Sequence, residues 1–296
     1  MIFINDFKYA LRLLSKRPGF TLLTTLVMAT GIGLSVYLFS FMNTLVFKDL
    51  NFEDGDSLMV LSQSLDNSKI NEAINPHDFQ EVRNNIQGIS ELSAYSNRNV
   101  NVSGQGTARR YNATMAEPNI FQLTRTAPLL GRGFNGADNQ VGADPVVVIG
   151  YEIWQNQYGG NPETLGKDLR VNGVPHRIIG VMPQGYYFPA VAEMWLPLQQ
   201  HPGQMARGEG FGIYGLAHLD PHYSIEAIDQ QLQVIMKRLE QRYPKTNSGV
   251  GTYIATMPMT LVADGIAVPY SMQIVAILIL ILASINVGNL LLSRAV

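Results

Sequence analysis

The sequence of 296 residues contains no cysteine, and charged side chains make up only 15% of it. The lack of cysteine excludes a disulfide framework, a thiolate metal site and a cysteine nucleophile. The formal net charge is −2, without the strong basic excess that is typical of nucleic-acid-binding domains. We therefore predict no nucleic-acid partner.

Charge is absent altogether between Arg17 and Lys48. About 20 apolar residues suffice to cross the hydrocarbon core of a bilayer, so this run predicts a transmembrane helix over 19–47. A cleaved signal peptide is the alternative, but its apolar core is only about 7–15 residues long and a small-residue cleavage site follows it. The run in this sequence is longer, and no such site follows it.

A second uncharged run lies between Asp264 and Arg294, and it predicts another transmembrane helix over 269–293. Lysine and arginine are concentrated before the first helix, whereas aspartate and glutamate are concentrated after it. The positive-inside rule therefore predicts a cytoplasmic N-terminus. With two crossings, residues 48–268 are expected on the opposite side of the membrane.

The first 18 residues predict a basic amphipathic helix. Its apolar face and its basic face both follow helical spacing; the apolar residues are Phe7, Ala10, Leu11 and Leu14, and the basic ones are Lys8, Arg12 and Lys16. A helix of this kind beside a membrane helix is typical of a segment that lies in the interface. We predict a cytoplasmic interfacial helix over 1–18, and a solvated helix with no membrane role is the alternative.

Two helices are predicted between the apolar runs. Asn75 precedes the shorter one as a helix cap, and Ser224 precedes the longer one in the same role. Apolar residues in the longer helix recur at alternating steps of three and four, beginning at Ile225. This spacing predicts one apolar face packed on a core.

Strand patterns occur in the same region. Residues 146–149 form a continuous apolar run, which is typical of a strand buried on both faces. Asn172 and Gly173 predict the type I′ turn of a hairpin. The predicted fold is a membrane protein with two transmembrane α-helices flanking an α+β extracytoplasmic domain.

Two glycine patterns resemble ligand-binding motifs but depart from them. The pair Gly160 and Gly166 precedes Lys167 as in a phosphate-binding loop, yet the spacing is one residue too long, and Asp168 replaces the serine or threonine that would contact magnesium. The stretch 210–215 matches the dinucleotide pattern G-x-G-x-x-G. It lacks the preceding strand and following helix that the motif requires.

Candidate catalytic and metal-binding residues are scattered. His218 and His222 have the spacing of a helical zinc pair, but Pro221 interrupts the helix that such a pair needs. Isolated acids such as Asp78 and Glu81 are expected on a solvated helix face. We predict no catalytic residue, no cofactor, no metal site and no enzyme activity.

Small and polar residues recur within the two membrane runs. Small residues at four-residue spacing allow close helix contact, and asparagines in a membrane usually need hydrogen-bonding partners. The helix–helix contact candidates are Ala29, Gly31, Gly33, Ser284, Asn286, Gly288 and Asn289. Two helices alone would leave part of this surface uncovered, so we predict contacts with further membrane helices.

Several stretches together resemble the MacB/FtsX-like permeases of ABC transporters, most closely the large bacterial permeases without a fused ATPase. "DFKYALRLLSKRPGF" with the run after it is similar to their N-terminal helix and first membrane helix. "GADPVVVIGYEIWQNQYGGNPETLGKDLRVNGVPHRIIGVMP" resembles their MacB-type periplasmic core domain, and "NVGNLLLSRA" resembles the start of their FtsX-type membrane domain. The likeness extends over almost the whole chain.

The resemblance implies a domain plan and a set of partners. A porter-like part would comprise 48–125 and 205–264, and a sabre-like insertion would comprise about 126–204. The resemblance also implies a separate cytoplasmic ABC ATPase, a dimeric assembly and placement in the bacterial inner membrane. Because such permeases continue into further membrane helices or a second permease half, the chain is expected to be part of a longer permease.

The implied function is export or extraction of a substrate, driven by the partner ATPase through movement of the periplasmic domain. The alternative is a membrane-anchored sensor or adaptor that regulates a partner without transport. The two hypotheses differ in whether an ATPase binds the chain. A membrane-anchored enzyme is a third class, and it would require a cluster of polar side chains in a pocket.

Overall fold

The computed structural model describes residue 16 and residues 18–42, 57–65, 72–104, 106–189, 191–257 and 267–292. The chain divides into two compact units, one formed by Met1–Lys48 with Leu261–Val296 and the other by Asp49–Thr260. The predicted interfacial helix lies almost entirely outside the described residues.

The helices and strands, in chain order, are α1 (Pro18–Met42), β1 (Leu58–Leu65), α2 (Pro76–Asn85), β2 (Ile89–Gly104), β3 (Gly106–Ala116), α3 (Ile120–Leu123), β4 (Leu130–Gly131), β5 (Val146–Ile149), α4 (Tyr151–Tyr158), β6 (Asp168–Val171), β7 (Val174–Val181), β8 (Met194–Pro197), β9 (Tyr214–Leu219), α5 (Ile225–Arg242), α6 (Pro244–Asn247), β10 (Val250–Thr256) and α7 (Ala267–Leu292). Short 3-10 helices occur at Pro162–Thr164 and Pro202–Gln204.

The first unit contains α1 and α7. Within α1, the segment Thr21–Phe41 is long and apolar enough to cross a membrane, and large side chains such as Phe39 (65% exposed) point away from the rest of the unit. A helix that is apolar on all sides and exposes most of its large side chains is typical of contact with lipid. In α7 the described apolar segment, Tyr270–Leu282, is shorter, so the second crossing stays a prediction.

All strands of the second unit belong to one ten-stranded sheet with the order β10-β1-β9-β2-β3-β8-β5-β7-β4, and β6 pairs with β2 and β7. Because β6 joins β2 to β7, the pairings close into a ring of six strands: β2, β3, β8, β5, β7 and β6. The closing contact pairs Val102 with Val171. The unit is therefore an open sheet that continues into a small closed ring.

Three hydrophobic clusters stabilise this sheet. All six strands of the ring contribute to one cluster, which includes Val102, Ile149 and Ile178. A second cluster lies between the open sheet and helices α2 and α5, and a third covers the other face around Trp195. Since Val148 belongs to this third cluster and Ile149 to that of the ring, β5 is buried on both faces, as its sequence predicts.

The predicted helix caps and the predicted hairpin turn in this unit are confirmed. The backbone N–H of His77 donates to Asn75 Oδ1 (2.9 Å) at the start of α2, and that of Ala227 donates to Ser224 Oγ (3.2 Å) at the start of α5. Asn172 and Gly173 have φ angles of 49° and 85°, as a type I′ turn between β6 and β7 requires.

One expectation for this unit is wrong, and another stays a prediction. Ile225, the first residue of the predicted apolar face of α5, is 36% exposed, because it lies in the first turn before the helix reaches the sheet. The division into porter-like and sabre-like parts stays a prediction, since Asp49–Thr260 forms one compact unit.

We expect Gly215→Ala to destabilise the protein. A Cβ at Gly215 in β9 would lie 2.8 Å from Cε2 of Phe79 and 3.0 Å from Cβ of Leu61, and such overpacking of a core costs about 1–3 kcal/mol. Thermal unfolding of the detergent-purified chain measures the effect. Gly203→Ala is the control, because no atom lies within 4 Å of a Cβ there, and equal unfolding temperatures for both variants would contradict this packing.

Candidate functional site

Helices α1 and α7 contact each other along one face. Gly31, Leu38 and Ala276 are buried in this contact, and Ser35 Oγ donates a hydrogen bond to the carbonyl oxygen of Ala276 (3.3 Å). Gly31, Ser35 and Leu38 follow the i, i+4, i+7 spacing of a helix-packing face. Sequence reasoning missed Ser35, although this spacing could have identified it.

The other predicted contact residues lie differently. Ala29, Gly33 and Ser284 are exposed and Gly288 is half-buried, with no atom within 4 Å of a Cβ built at either glycine. These small residues therefore do not line the contact between α1 and α7. Their role in contacts with further helices stays a prediction, as does that of Asn286 and Asn289, whose side chains lie outside the described residues.

Two polar side chains in these helices form hydrogen bonds within their own helix. Thr30 Oγ1 donates to the Leu26 carbonyl and Ser284 Oγ donates to the Leu280 carbonyl, both at 2.8 Å. Gln273 differs, because its Oε1 atom is buried without a hydrogen-bond partner among the described residues. An unpaired amide oxygen is costly in an apolar environment.

In the segment that resembles a phosphate-binding loop, each backbone N–H group of residues 160–167 is used in a hydrogen bond within the protein. The segment forms the end of α4, a 3-10 turn and the entry to β6, and its N–H groups donate internally; for example, Gly160 donates to the Trp154 carbonyl (3.2 Å) and Gly166 to the Ile178 carbonyl (2.8 Å). Phosphate cradles need several converging N–H groups. The segment is therefore a structural turn.

The glycine pattern at 210–215 is also structural. Gly215 lies within β9 and packs on Phe79, and Gly212 packs on Ala73. A strand follows the pattern where a dinucleotide site needs a helix. These glycines permit close packing between layers.

The two histidines with zinc-like spacing are far from forming a site. His218 is buried in β9, with Nδ1 2.8 Å from Ser57 Oγ and Nε2 3.0 Å from the Leu123 carbonyl oxygen. His222 is exposed in the turn before α5. Within the described residues, no three side chains of metal-binding type come together.

The expectation for Asp78 is wrong. Its side chain is only 3% exposed, forms an ion pair with Arg207 and accepts a hydrogen bond from Asn247 Nδ2 (2.8 Å). The sequence pattern of α2 gave no sign of this, because both partners are distant in the chain. Glu81 on the same helix is half-buried rather than solvated.

Other buried ionisable groups have shifted pKa values with structural causes. Burial raises the pKa of Tyr186, whose phenol oxygen lies 2.9 Å from Thr124 Oγ1. Burial acts to raise the pKa of Asp138, but hydrogen bonds from Arg132 and from the Asn135 amide, with the charge of Arg132, hold that pKa below its ordinary value. Both groups keep one protonation state near neutral pH, unlike a proton-transfer residue.

Comparison with known proteins finds a family model for nearly three quarters of the chain. The model of the MacB-like periplasmic core domain matches residues 21–235. A curated relative, the macrolide export ATP-binding/permease protein MacB of Bdellovibrio bacteriovorus, is 28% identical over 116 residues. That match covers 36% of this chain and 16% of the relative, so the chain matches only a small part of that protein's length.

One solved structure with a similar fold and a second, more distant match are both low in sequence identity to this chain. The crystal structure of the periplasmic region of MacB from Actinobacillus actinomycetemcomitans has a TM-score of 0.50 at 13% identity, covering 72% of this chain and 94% of that one. The extracellular domain of the noncanonic ABC-type transporter YknZ from Gram-positive bacteria has a TM-score of 0.49 at 13% identity, covering 66% of this chain and 99% of that one.

Gly31 should be required for the contact between α1 and α7, whereas Gly33 should not. In the cysteine-free chain, the pair Ser35→Cys and Ala276→Cys is expected to form an intrachain disulfide on mild oxidation in membranes. Adding Gly31→Leu should lower the yield, because the side chain would separate the helices. Linked peptides are quantified by mass spectrometry.

Gly33→Leu is the matched control, because Gly33 is exposed and a Cβ there meets no other atom. The disulfide yield should remain unchanged in this variant. Equal loss of yield in both variants would contradict the assigned contact face.

Proposed function

The chain belongs to the family of the MacB-like periplasmic core domain, and on this premise we propose that it is the permease part of an ABC transporter of the MacB/FtsX-like type. The observation that carries the proposal is the extent of the family match. Residues 21–235 include most of the apolar helix α1 and most of the unit Asp49–Thr260. One continuous family match therefore covers both the membrane segment and the domain that follows it.

In this proposal the energy comes from a separate cytoplasmic ABC ATPase. ATP hydrolysis by that partner changes the conformation of the permease and its periplasmic domain, which exports or extracts a substrate. The structural use of the amides around Gly160 and Gly166 supports a permease whose nucleotide site lies on a partner. The chain itself acts without catalysis.

The proposed topology has two crossings of the bacterial inner membrane, with the N-terminus in the cytoplasm and residues 48–268 in the periplasm. Two observations support it, each within one unit. Met59 near the start of β1 pairs with Thr256 at the end of β10, so the chain enters and leaves the sheet at neighbouring positions. Helices α1 and α7 contact each other through Ser35 and Ala276, as the two arms of a hairpin would.

Further membrane helices or a second permease half are proposed to cover the remaining helix surface, giving a dimeric assembly in the lipid bilayer. The exposed small residues Ala29, Gly33 and Ser284 support this proposal, because small residues favour close helix approach.

The direct test is purification of the complete native gene product from its own membranes in mild detergent. We expect an ABC ATPase to co-purify in stoichiometric amount, as identified by mass spectrometry, because the permease must bind its motor. The gene product carries an affinity tag for this purification. A parallel purification from cells with the untagged protein identifies the proteins that bind the resin nonspecifically. A stoichiometric kinase or other signalling protein, with no ATPase, would contradict the permease proposal and favour the sensor or adaptor alternative.

A further inference from the structure

A glycine-rich segment connects the ring of strands to β9. Residues 205–212, with the sequence "MARGEGFG", follow the short helix Pro202–Gln204 and precede β9. Gly208 and Gly210 have φ angles of 91° and 82°, which residues other than glycine rarely adopt. The segment thus has two positions at which glycine permits a change of chain direction.

The side chain of Arg207 extends from this segment towards the rest of the domain. Arg207 forms an ion pair with the buried carboxylate of Asp78, and its Nη2 also donates to Asn247 Oδ1 (3.1 Å). Its Nε donates to Thr246 Oγ1 (3.3 Å), and its guanidinium lies 3.9 Å from the ring centroid of Tyr243. A single side chain thereby joins the segment to α2, to the end of α5 and to α6.

The remaining attachments lie at the two ends of the segment. His77 Nε2 is 3.2 Å from the Met205 carbonyl oxygen at the first end. At the second end, the backbone of Phe211 exchanges hydrogen bonds with the Gln200 side chain (2.9 and 3.0 Å), the Arg98 guanidinium lies 4.6 Å from the Phe211 ring centroid, and Ser96 Oγ donates to the Gly212 carbonyl (2.9 Å). Among the described residues, only Arg207 joins positions 206–210 to the rest of the domain by a hydrogen bond or ion pair. The middle of the segment is thus held by one side chain.

A cavity of about 310 Å³ lies against this segment. The segment contributes Gly208, Gly210, Phe211 and Gly212 to the lining of this cavity. Other lining residues are Gln63 of β1, Asn75 and Asp78 at the start of α2, and Thr246 of α6. Its volume is similar to that of a small-molecule pocket.

We propose that residues 205–212 form a lid on this cavity and that Arg207 is the latch that holds the lid closed. When the lid is closed, Arg207 neutralises a carboxylate that would otherwise be buried without a counter-charge, which is strongly unfavourable. When the lid opens as a unit, both charges regain water, so opening does not require unfolding of the helices. The lid is independent of the proposed transport function.

Hydrogen exchange followed by mass spectrometry, on the complete chain in detergent, tests the latch. Arg207→Gln should speed exchange of the amides of Ala206, Glu209 and Phe211 by about tenfold or more. These amides are hydrogen-bonded when the lid is closed, and the variant loses the bonds between charged groups that keep it closed. Exchange in β9 and α5 should remain unchanged. Asp78→Asn/Arg207→Gln should show the same fast lid exchange without a buried unpaired carboxylate, so it remains informative if the single variant unfolds.

Arg242→Gln is the matched control, because Arg242 lies over the same Tyr243 ring (5.5 Å) but, within the described part of the chain, has no hydrogen bond or ion pair with the lid. Lid exchange should be unchanged in this variant. Unchanged lid exchange in the Arg207 variants would overturn the latch. An equal increase in β9 and α5 in the double variant would also overturn it, since Arg207 would then stabilise the whole domain rather than a lid.

Discussion

The long antiparallel ladder between β2 and β3 is the interaction on which the rest of the compact unit Asp49–Thr260 depends. At one end of the ladder, β2 pairs with β9, which extends the open sheet, and β3 pairs with β8. At the other end, β2 pairs with β6, which closes the ring. All three hydrophobic clusters include residues of β2, which contributes Tyr95 to one, Ala94 to another and Val100 to the third. The open sheet and the ring are therefore joined through β2 by backbone hydrogen bonds.

The sequence predicts those parts of the fold that depend on neighbouring residues. Asn75 and Ser224 cap their helices because the cap and its partner lie within three residues of each other. Asn172 and Gly173 form the expected turn because its backbone angles favour these residues. The apolar run of α1 and the family resemblance were likewise accessible, since both depend on linear patterns.

The remaining features depend on contacts between distant parts of the chain, which linear patterns do not encode. Asp78 looks like a solvated acid within α2, yet its ion-pair partner Arg207 lies 129 residues away. The ring closes through the pairing of Val102 with Val171, which no local signal specifies. Within the membrane runs, the sequence indicates that small residues matter, but only the packing distinguishes the buried Gly31 from the exposed Gly33.

The central claim is that the chain holds its α+β domain outside the cytoplasm between two membrane helices. The most direct test introduces one thiol, because the native sequence has none. Ser248→Cys lies at an exposed position before β10, and it should react with a membrane-impermeant maleimide on intact spheroplasts. Lys16→Cys, on the proposed cytoplasmic side, should react only after lysis. Labelling of Ser248→Cys only after lysis would contradict the account.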